Sequence, residues 1–347
     1  RARKIFRHRI GNSNESDELI FEEKNEAFTV SIGLSSDEKY YFISTSDHNT
    51  SEQYFFDVKE EKPEPKLIQK RQKGIIYSVN SWNGFFYMHT NKDAEDFKIE
   101  RTNDKNFRKW EIFVPSKKET LIGGLTFLKN WIIRSEVTNA LGKIFVKNLQ
   151  TNTEEELIFS DEKIYDGGVS LIQKDKNTDL IHISYSTPKT QSRVYLYNLK
   201  TREKKLVKEQ IIPSGHNPSE YVVERLECDS YDGRKVPITI TRHKKTKVDG
   251  NANLLLYGYG SYGSSMTPNF SSTRLSLINR DIIWVTAHIR GGLERGMKWW
   301  KEGKLLNKKN TFQDYIAVAN FLIEKKYTSK GKIIGMGGSA GGLLMGA

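Results

Sequence analysis

The stretch GKIIGMGGSAGGLLMGA, residues 331–347, decides how the C-terminal part of the chain folds. KIIGMG is an apolar run of strand length, GGSAGG is a turn that only small residues can make, and LLMGA opens a helix. Gly337-Gly338-Ser339-Ala340-Gly341 therefore matches G-x-S-x-G in the setting that gives this short pattern meaning. So sharp a turn leaves no room for a Cβ two residues to either side of the serine, and it lifts the hydroxyl clear of the sheet. The helix that follows aims its first amides at the place where an oxyanion would develop. A glycine-rich turn that cradles phosphate is the competing interpretation. Against it, no Walker lysine follows the glycines and no G-x-G-x-x-G occurs at this turn. Ser339 is the candidate nucleophile and the Ala340 amide a candidate oxyanion donor.

Working back from the turn, the pattern is that of an α/β domain. NTFQDYIAVANFLIEKKY (310–327) places Tyr315, Val318, Ala319 and Leu322 on one helical face, with Thr311 and Asp314 suited to its N-terminal cap. DIIWVTAHI (281–289) and NLLLYGYG (253–260) are buried strands, and SSTRLSLINR (271–280) is helical between them. YVVERLEC and KVPITITRH form a hairpin around Asp232-Gly233. Strands alternating with helices imply a largely parallel sheet. Acyl chemistry needs a second oxyanion donor from a loop after an early strand. Here that loop is YGYGSYG (257–263), where Tyr259 can offer its phenolic hydroxyl; packing within a glycine-rich turn explains its tyrosines equally well.

The first two hundred residues repeat. YYFISTSD (40–47), FFYMHTNKD (85–93), WIIRSEVTN (131–139) and LIHISYSTP (180–188) are each followed by a second β-rich run: EQYFFDV, DFKIERTN, GKIFVKNL and RVYLYNLKT. Two further strands are expected upstream of each pair, as in LIFEEK with AFTVSIG and EELIF with GVSLIQ. Four short strands per unit, recurring in the same order, is the propeller-blade pattern, favoured over a β-sandwich. Four units fit 18–201, and KIFRHRIG (4–11) reads as the last strand of another unit. The expected architecture is a partial β-propeller of about four blades (1–210) followed by an incomplete α/β-hydrolase domain (211–347).

Composition narrows the classes. The net charge is +12, but the basic residues are spread over turn-like segments such as RHKKTKVDG (242–250), with no nucleic-acid-binding signature, so no nucleic-acid partner is expected. No apolar run is long enough for a membrane span. The single cysteine, Cys228, offers neither a disulfide framework nor a cysteine-based zinc site, and points to a cytoplasmic setting.

The blocks LLLYGYGSYG, PNFSSTRLSLINR, HIRGG, GKLLNKKNTFQDYIAVANFLI and GGSAGGLLMGA together resemble the prolyl oligopeptidase family, and within it the oligopeptidase B group. TSEQYFFDV and FRHRIG are similar to the same family's propeller. The resemblance implies a serine endopeptidase of short peptides, cleaving after Lys or Arg, with the propeller excluding folded proteins. It implies Ser339 as nucleophile, Tyr259 and the Ala340 amide as oxyanion hole, and no cofactor or metal. Departures are Thr267 and Asn269, where relatives carry acids that hold a basic substrate residue, and Leu293 in GGLERGMKWW (291–300), where a smaller or acidic residue is usual.

In this fold the triad runs serine, acid, histidine along the chain. All seven histidines (8, 48, 89, 182, 216, 243 and 288) precede Ser339, and His288, at the end of a core strand, is expected to be structural. The chain is therefore expected to be truncated at both ends and inactive alone, and one expectation is that a separate C-terminal polypeptide supplies the acid and base. A non-catalytic remnant or peptide-binding propeller is the alternative, and an esterase or lipase of the same hydrolase class a third.

Overall fold

The computed structural model describes residues 2–158, 160–172 and 176–347. They form two compact units, 1–117 and 118–347, a division that does not coincide with the change from repeating strands to α/β elements.

In the first unit, β1 (Lys4–Arg7) and β2 (Glu18–Glu22) pair antiparallel in a sheet of their own. Two four-stranded antiparallel sheets follow. One holds β3 (Thr29–Leu34), β4 (Tyr40–Ser46), β5 (Ser51–Asp57) and β6 (Lys66–Gln69). The other holds β7 (Tyr77–Trp82), β8 (Phe85–Thr90), β9 (Lys98–Thr102) and β10 (Glu111–Val114). Aromatic residues from both sheets interleave: Phe55 meets Phe86 edge-on at 5.9 Å between ring centroids, and Phe86 meets Phe107 at 5.0 Å. Such contacts add about 0.5–1.5 kcal/mol to the area buried.

The second unit opens with two more sheets of the same kind. The first holds β11 (Thr120–Leu128), β12 (Trp131–Thr138), β13 (Leu141–Asn148) and β14 (Glu154–Glu156). The second holds β15 (Asp166–Leu171), β16 (Leu180–Ser186), β17 (Arg193–Asn198) and β18 (Lys204–Glu209). The four expected units are thus four sheets, but their phase differs from expectation. LIFEEK belongs to β2, which pairs with β1, and EELIF belongs to β14, the outer strand of the preceding sheet. Each four-stranded sheet has one strand before its central pair and one after it, because within a sheet each strand pairs with the next along the chain. KIFRHRIG likewise is no last blade strand but the partner of β2. Phe159 and Gln173, which end two of the expected strands, lie outside the described residues.

The α/β part comprises β19 (Tyr221–Asp229), β20 (Lys235–His243), β21 (Leu254–Tyr257), α1 (Ser272–Ile278), β22 (Ile283–Ala287), α2 (Gly296–Lys301), α3 (Lys309–Glu324), β23 (Ile333–Met336) and α4 (Ala340–Gly346). The sheet order is β19-β20-β22-β21-β23. β19 and β20 are the expected hairpin, and β20 runs antiparallel to β22. β22, β21 and β23 are mutually parallel. Their near-continuous apolar runs suit a sheet covered on both faces: Leu254, Leu256, Ile283 and Val285 are fully buried, with Val318 and Leu322 of α3 in the same core.

The cap of α3 departs from expectation. Lys308 precedes the helix and makes no side-chain cap hydrogen bond. Thr311 and Asp314 lie inside the helix and are wholly buried. Asp314 accepts from the Arg290 backbone N–H at 3.0 Å, from the Arg290 guanidinium at 2.9 and 2.6 Å, and from the Ser230 hydroxyl at 2.6 Å. Arg290, 1% exposed, also donates to Asp232 at 2.6 Å. Short polar residues near the start of a helix can face inward when a buried cation needs them, and here tertiary pairing outcompetes local capping.

Removing one member of such a pair strands the other. We expect Asp314→Ala to cost about 3–5 kcal/mol in urea unfolding. Lys245→Ala, breaking a half-exposed pair with Asp281 at 3.9 Å, is expected to cost under about 1 kcal/mol.

Candidate active site

All three parallel strands end on the same side of the sheet, the side on which open α/β sheets place their ligands. Three connections leave that edge: 258–271 after β21, 288–295 after β22, and 337–339 after β23. Register sets the first and last side by side, since Tyr257 pairs with Met336 and the Gly258 N–H donates to the Met336 carbonyl at 3.2 Å.

Ser339 occupies the expected strand-to-helix turn. Its backbone has φ 51° and ψ −120°, its residue is exposed, and α4 begins at the next residue. A non-glycine residue in this region stores about 1–3 kcal/mol of strain, which the packing around it must offset. The glycines beside it permit the packing. A Cβ on Gly337 would lie 2.3 Å from the Gly341 carbonyl oxygen. A Cβ on Gly341 would lie 2.9 Å from the Gly258 carbonyl oxygen and 3.6 Å from Cδ2 of Tyr259. Gly338, between them, has open space around its missing side chain.

The same contact places Tyr259. Its half-buried ring passes within 3.6 Å of where a Cβ on Gly341, in the first turn of α4, would stand. The loop that holds it is anchored from below. Lys308 donates from Nζ to the Gly260 carbonyl at 2.5 Å and to the Ser261 hydroxyl at 2.7 Å. Burial lowers the pKa of this ammonium. The Gly263 N–H donates to the Gly291 carbonyl at 2.9 Å. Gly291, at φ 107°, brings its backbone so close to Gly260 that a Cβ there would overlap the Gly260 carbonyl. Farther along, Met266 N–H donates to Glu294 Oε1 at 3.0 Å, and the Phe270 N–H reaches the Ser186 hydroxyl at 3.4 Å. Asp166 of β15 lies near Thr267 of this loop, and burial pushes its carboxyl up.

Among the described residues, no hydrogen bond reaches the Ser339 hydroxyl. Four of the seven histidines have partners other than Ser339. His8 pairs with Asp17 at 2.6 Å, His216 with the Lys189 carbonyl at 2.6 Å, and His243 with Glu220 at 3.7 Å. His288 is fully buried, its Nε2 lies 2.8 Å from Thr239 Oγ1, and burial lowers its pKa well below the ordinary imidazole value.

Two residues that sequence reasoning passed over prove central to the loop. Lys308 carried a signal, because a cation at a helix N-terminus opposes the macrodipole and must be used by something else. Glu294 sits in GGLERG beside Leu293, and only burial sets it apart; Leu293 itself packs against Gly263.

Comparison with known proteins agrees with this architecture. Residues 1–210 match the family described as prolyl oligopeptidase, N-terminal beta-propeller domain, and residues 268–347 match the prolyl oligopeptidase family. Dipeptidyl aminopeptidase BI of Pseudoxanthomonas mexicana is 34% identical over 100% of this chain and 48% of its own length. Protease 2 of Moraxella lacunata is 35% identical over 99% of this chain and 49% of its own. Oligopeptidase B from Trypanosoma brucei, solved with covalently bound antipain, superposes with a TM-score of 0.92 at 30% identity, covering 99% of this chain and 50% of that one. The chain spans about half the length of the curated relatives it matches. With its antiparallel sheets matched to the family's N-terminal propeller and its α/β part matched to the family's own model, this chain belongs to the prolyl oligopeptidase family.

Proposed function

We propose that the chain carries the nucleophilic half of a serine oligopeptidase that hydrolyses short peptides, and that Ser339 attacks the scissile carbonyl carbon. The observation that carries the proposal is the exposed Ser339 at φ 51°, held at the parallel-strand edge against the Tyr259 loop. In the attack, the new Oγ–C bond forms as the hydroxyl proton passes to a general base, and the carbonyl oxygen becomes an oxyanion. The Tyr259 hydroxyl and the Ala340 amide are the proposed donors to that oxyanion. The amine leaving group then takes the proton, and water releases the acyl group.

The proposed base and its carboxylate partner come from outside these 347 residues, in the same polypeptide or a separate C-terminal one. Every histidine bond described above leads away from Ser339. Without a base a serine hydroxyl stays protonated near neutral pH, at a cost of about 10⁴- to 10⁶-fold in rate. The proposed preference for Lys or Arg rests on the similarity to oligopeptidase B relatives. The lone cysteine, buried and with its thiol pushed up to about 12, fits the proposed cytoplasmic setting.

The test is covalent labelling by a fluorophosphonate, with peptide mapping. The isolated chain is expected to label at Ser339 at least about 10⁴-fold more slowly than a full-length relative, and addition of the relative's C-terminal half to restore the rate. Tyr259→Phe is then expected to lower peptide hydrolysis by about 10²- to 10³-fold with little change in KM. Fast labelling of the chain alone, or labelling at another serine, contradicts the proposal.

The glycines give an independent check. Gly337→Ala is expected to destabilise the fold by about 1–3 kcal/mol through overpacking and to abolish labelling at Ser339. Gly338→Ala is expected to stay within about 0.5 kcal/mol of the parent and to label normally. Equal behaviour of the two variants would contradict the strained-turn account.

A further inference from the structure

Glu294 is 2% exposed, and it ties three segments together. Its Oε1 accepts from the Met266 N–H at 3.0 Å, in the loop that begins at Tyr259. Its backbone carbonyl accepts from the Ala140 N–H at 2.8 Å, in the turn between β12 and β13. Its Oε2 has no partner among the described residues and lies where a Cβ on Gly292 would be. The turn is held a second time, since Arg225 donates to the Asn139 carbonyl. It is held a third time by Asn139 Nδ2, which donates to Glu227 Oε1 at 3.1 Å. One buried residue, through its carboxyl and its backbone carbonyl, therefore links the Tyr259 loop and the blade turn to the 288–295 connection.

The charged groups around it come from every packed element. Arg225 of β19 faces it and favours its ionised form. Arg295, next in the chain, is turned to Glu227 and Glu119. His288, at the end of β22, is kept neutral by burial and offers no counter-charge. The outcome is a carboxyl that burial pushes up to about 7 in spite of Arg225 and the Met266 N–H. A buried carboxylate oxygen without a partner is costly, and the same oxygen as a neutral carboxyl is far less so.

We propose that Glu294 is a positioning residue that seats the Tyr259 loop against the β12–β13 turn, and that ionisation of its carboxyl loosens this seating. The role deepens the function proposed above, because the loop it holds carries the proposed oxyanion donor. The sign follows from linkage. The folded value lies above the ordinary carboxyl value of 4.5. The stabilisation is therefore fully present below that ordinary value and is lost as pH rises through about 7.

The test is hydrogen exchange by mass spectrometry on the whole chain, corrected for intrinsic exchange, read on peptides covering 258–271 and 136–142. Between about pH 5.5 and about pH 8, wild-type protection of both peptides is expected to fall about tenfold or more. E294Q, which keeps an acceptor for Met266 and cannot ionise, is expected to stay protected across the range. E294A is expected to be unprotected at both ends in 258–271. Should E294A fail to fold, the comparison of wild type with E294Q decides alone. The same pH dependence in wild type and E294Q, or none in wild type, overturns the proposal. Fluorophosphonate labelling of Ser339 in the presence of a relative's C-terminal half separates the two ideas. If Ser339 never labels while exchange behaves as expected, the catalytic assignment fails and the clasp stands.

Discussion

At Gly341 the first turn of α4 comes so near the Gly258 carbonyl that a Cβ would lie only 2.9 Å from it, with the Tyr259 ring in van der Waals reach. The candidate site depends on that contact. Parallel pairing of β21 with β23 brings the two strand ends level, and the absent Cβ atoms at 337 and 341 let the backbone turn back on itself and onto the neighbouring loop. Strain at Ser339 is sustained because packing on both sides leaves the turn no cheaper conformation. A single methyl group at either glycine would move the serine, the tyrosine, or both.

The rest of the α/β part supports this contact at increasing distance. Lys308 holds the carbonyl next to Tyr259, and the backbone of Gly291 fits against Gly260. Arg290, one residue earlier, is fixed by Asp314 and Asp232, so the buried ion pair orients the floor on which the loop rests. Buried pairs of this kind add little net stability over an apolar substitute, but they specify one arrangement among many. The polar groups gathered here, including Glu294 and its link to the β12–β13 turn, fit a region whose geometry matters more than its contribution to stability.

Much of this was legible in the sequence. Short apolar runs separated by turn residues point to the four repeating units and the parallel strands, and GGSAGG after KIIGMG points to the strand-to-helix turn at Ser339. Resemblance in several ordered blocks pointed to the family that comparison then established. What was not legible was long-range. The phase of the blades depends on which neighbour each run pairs with, so LIFEEK and EELIF were assigned to the wrong sheets. Thr311 and Asp314 look like capping residues because local rules favour that use, and only the buried Arg290 explains their inward placement. Glu294 is an ordinary acid in sequence, and the partners of its carboxyl and its carbonyl, Met266 and Ala140, lie far along the chain.

The most direct measurement of the central claim is a crystal structure of the Ser339 phosphonate adduct. The account predicts a phosphoryl oxygen about 2.7–3.1 Å from both the Tyr259 hydroxyl and the Ala340 amide nitrogen. An adduct whose oxygen points to solvent, with the Tyr259 hydroxyl turned into a protein contact, would contradict it.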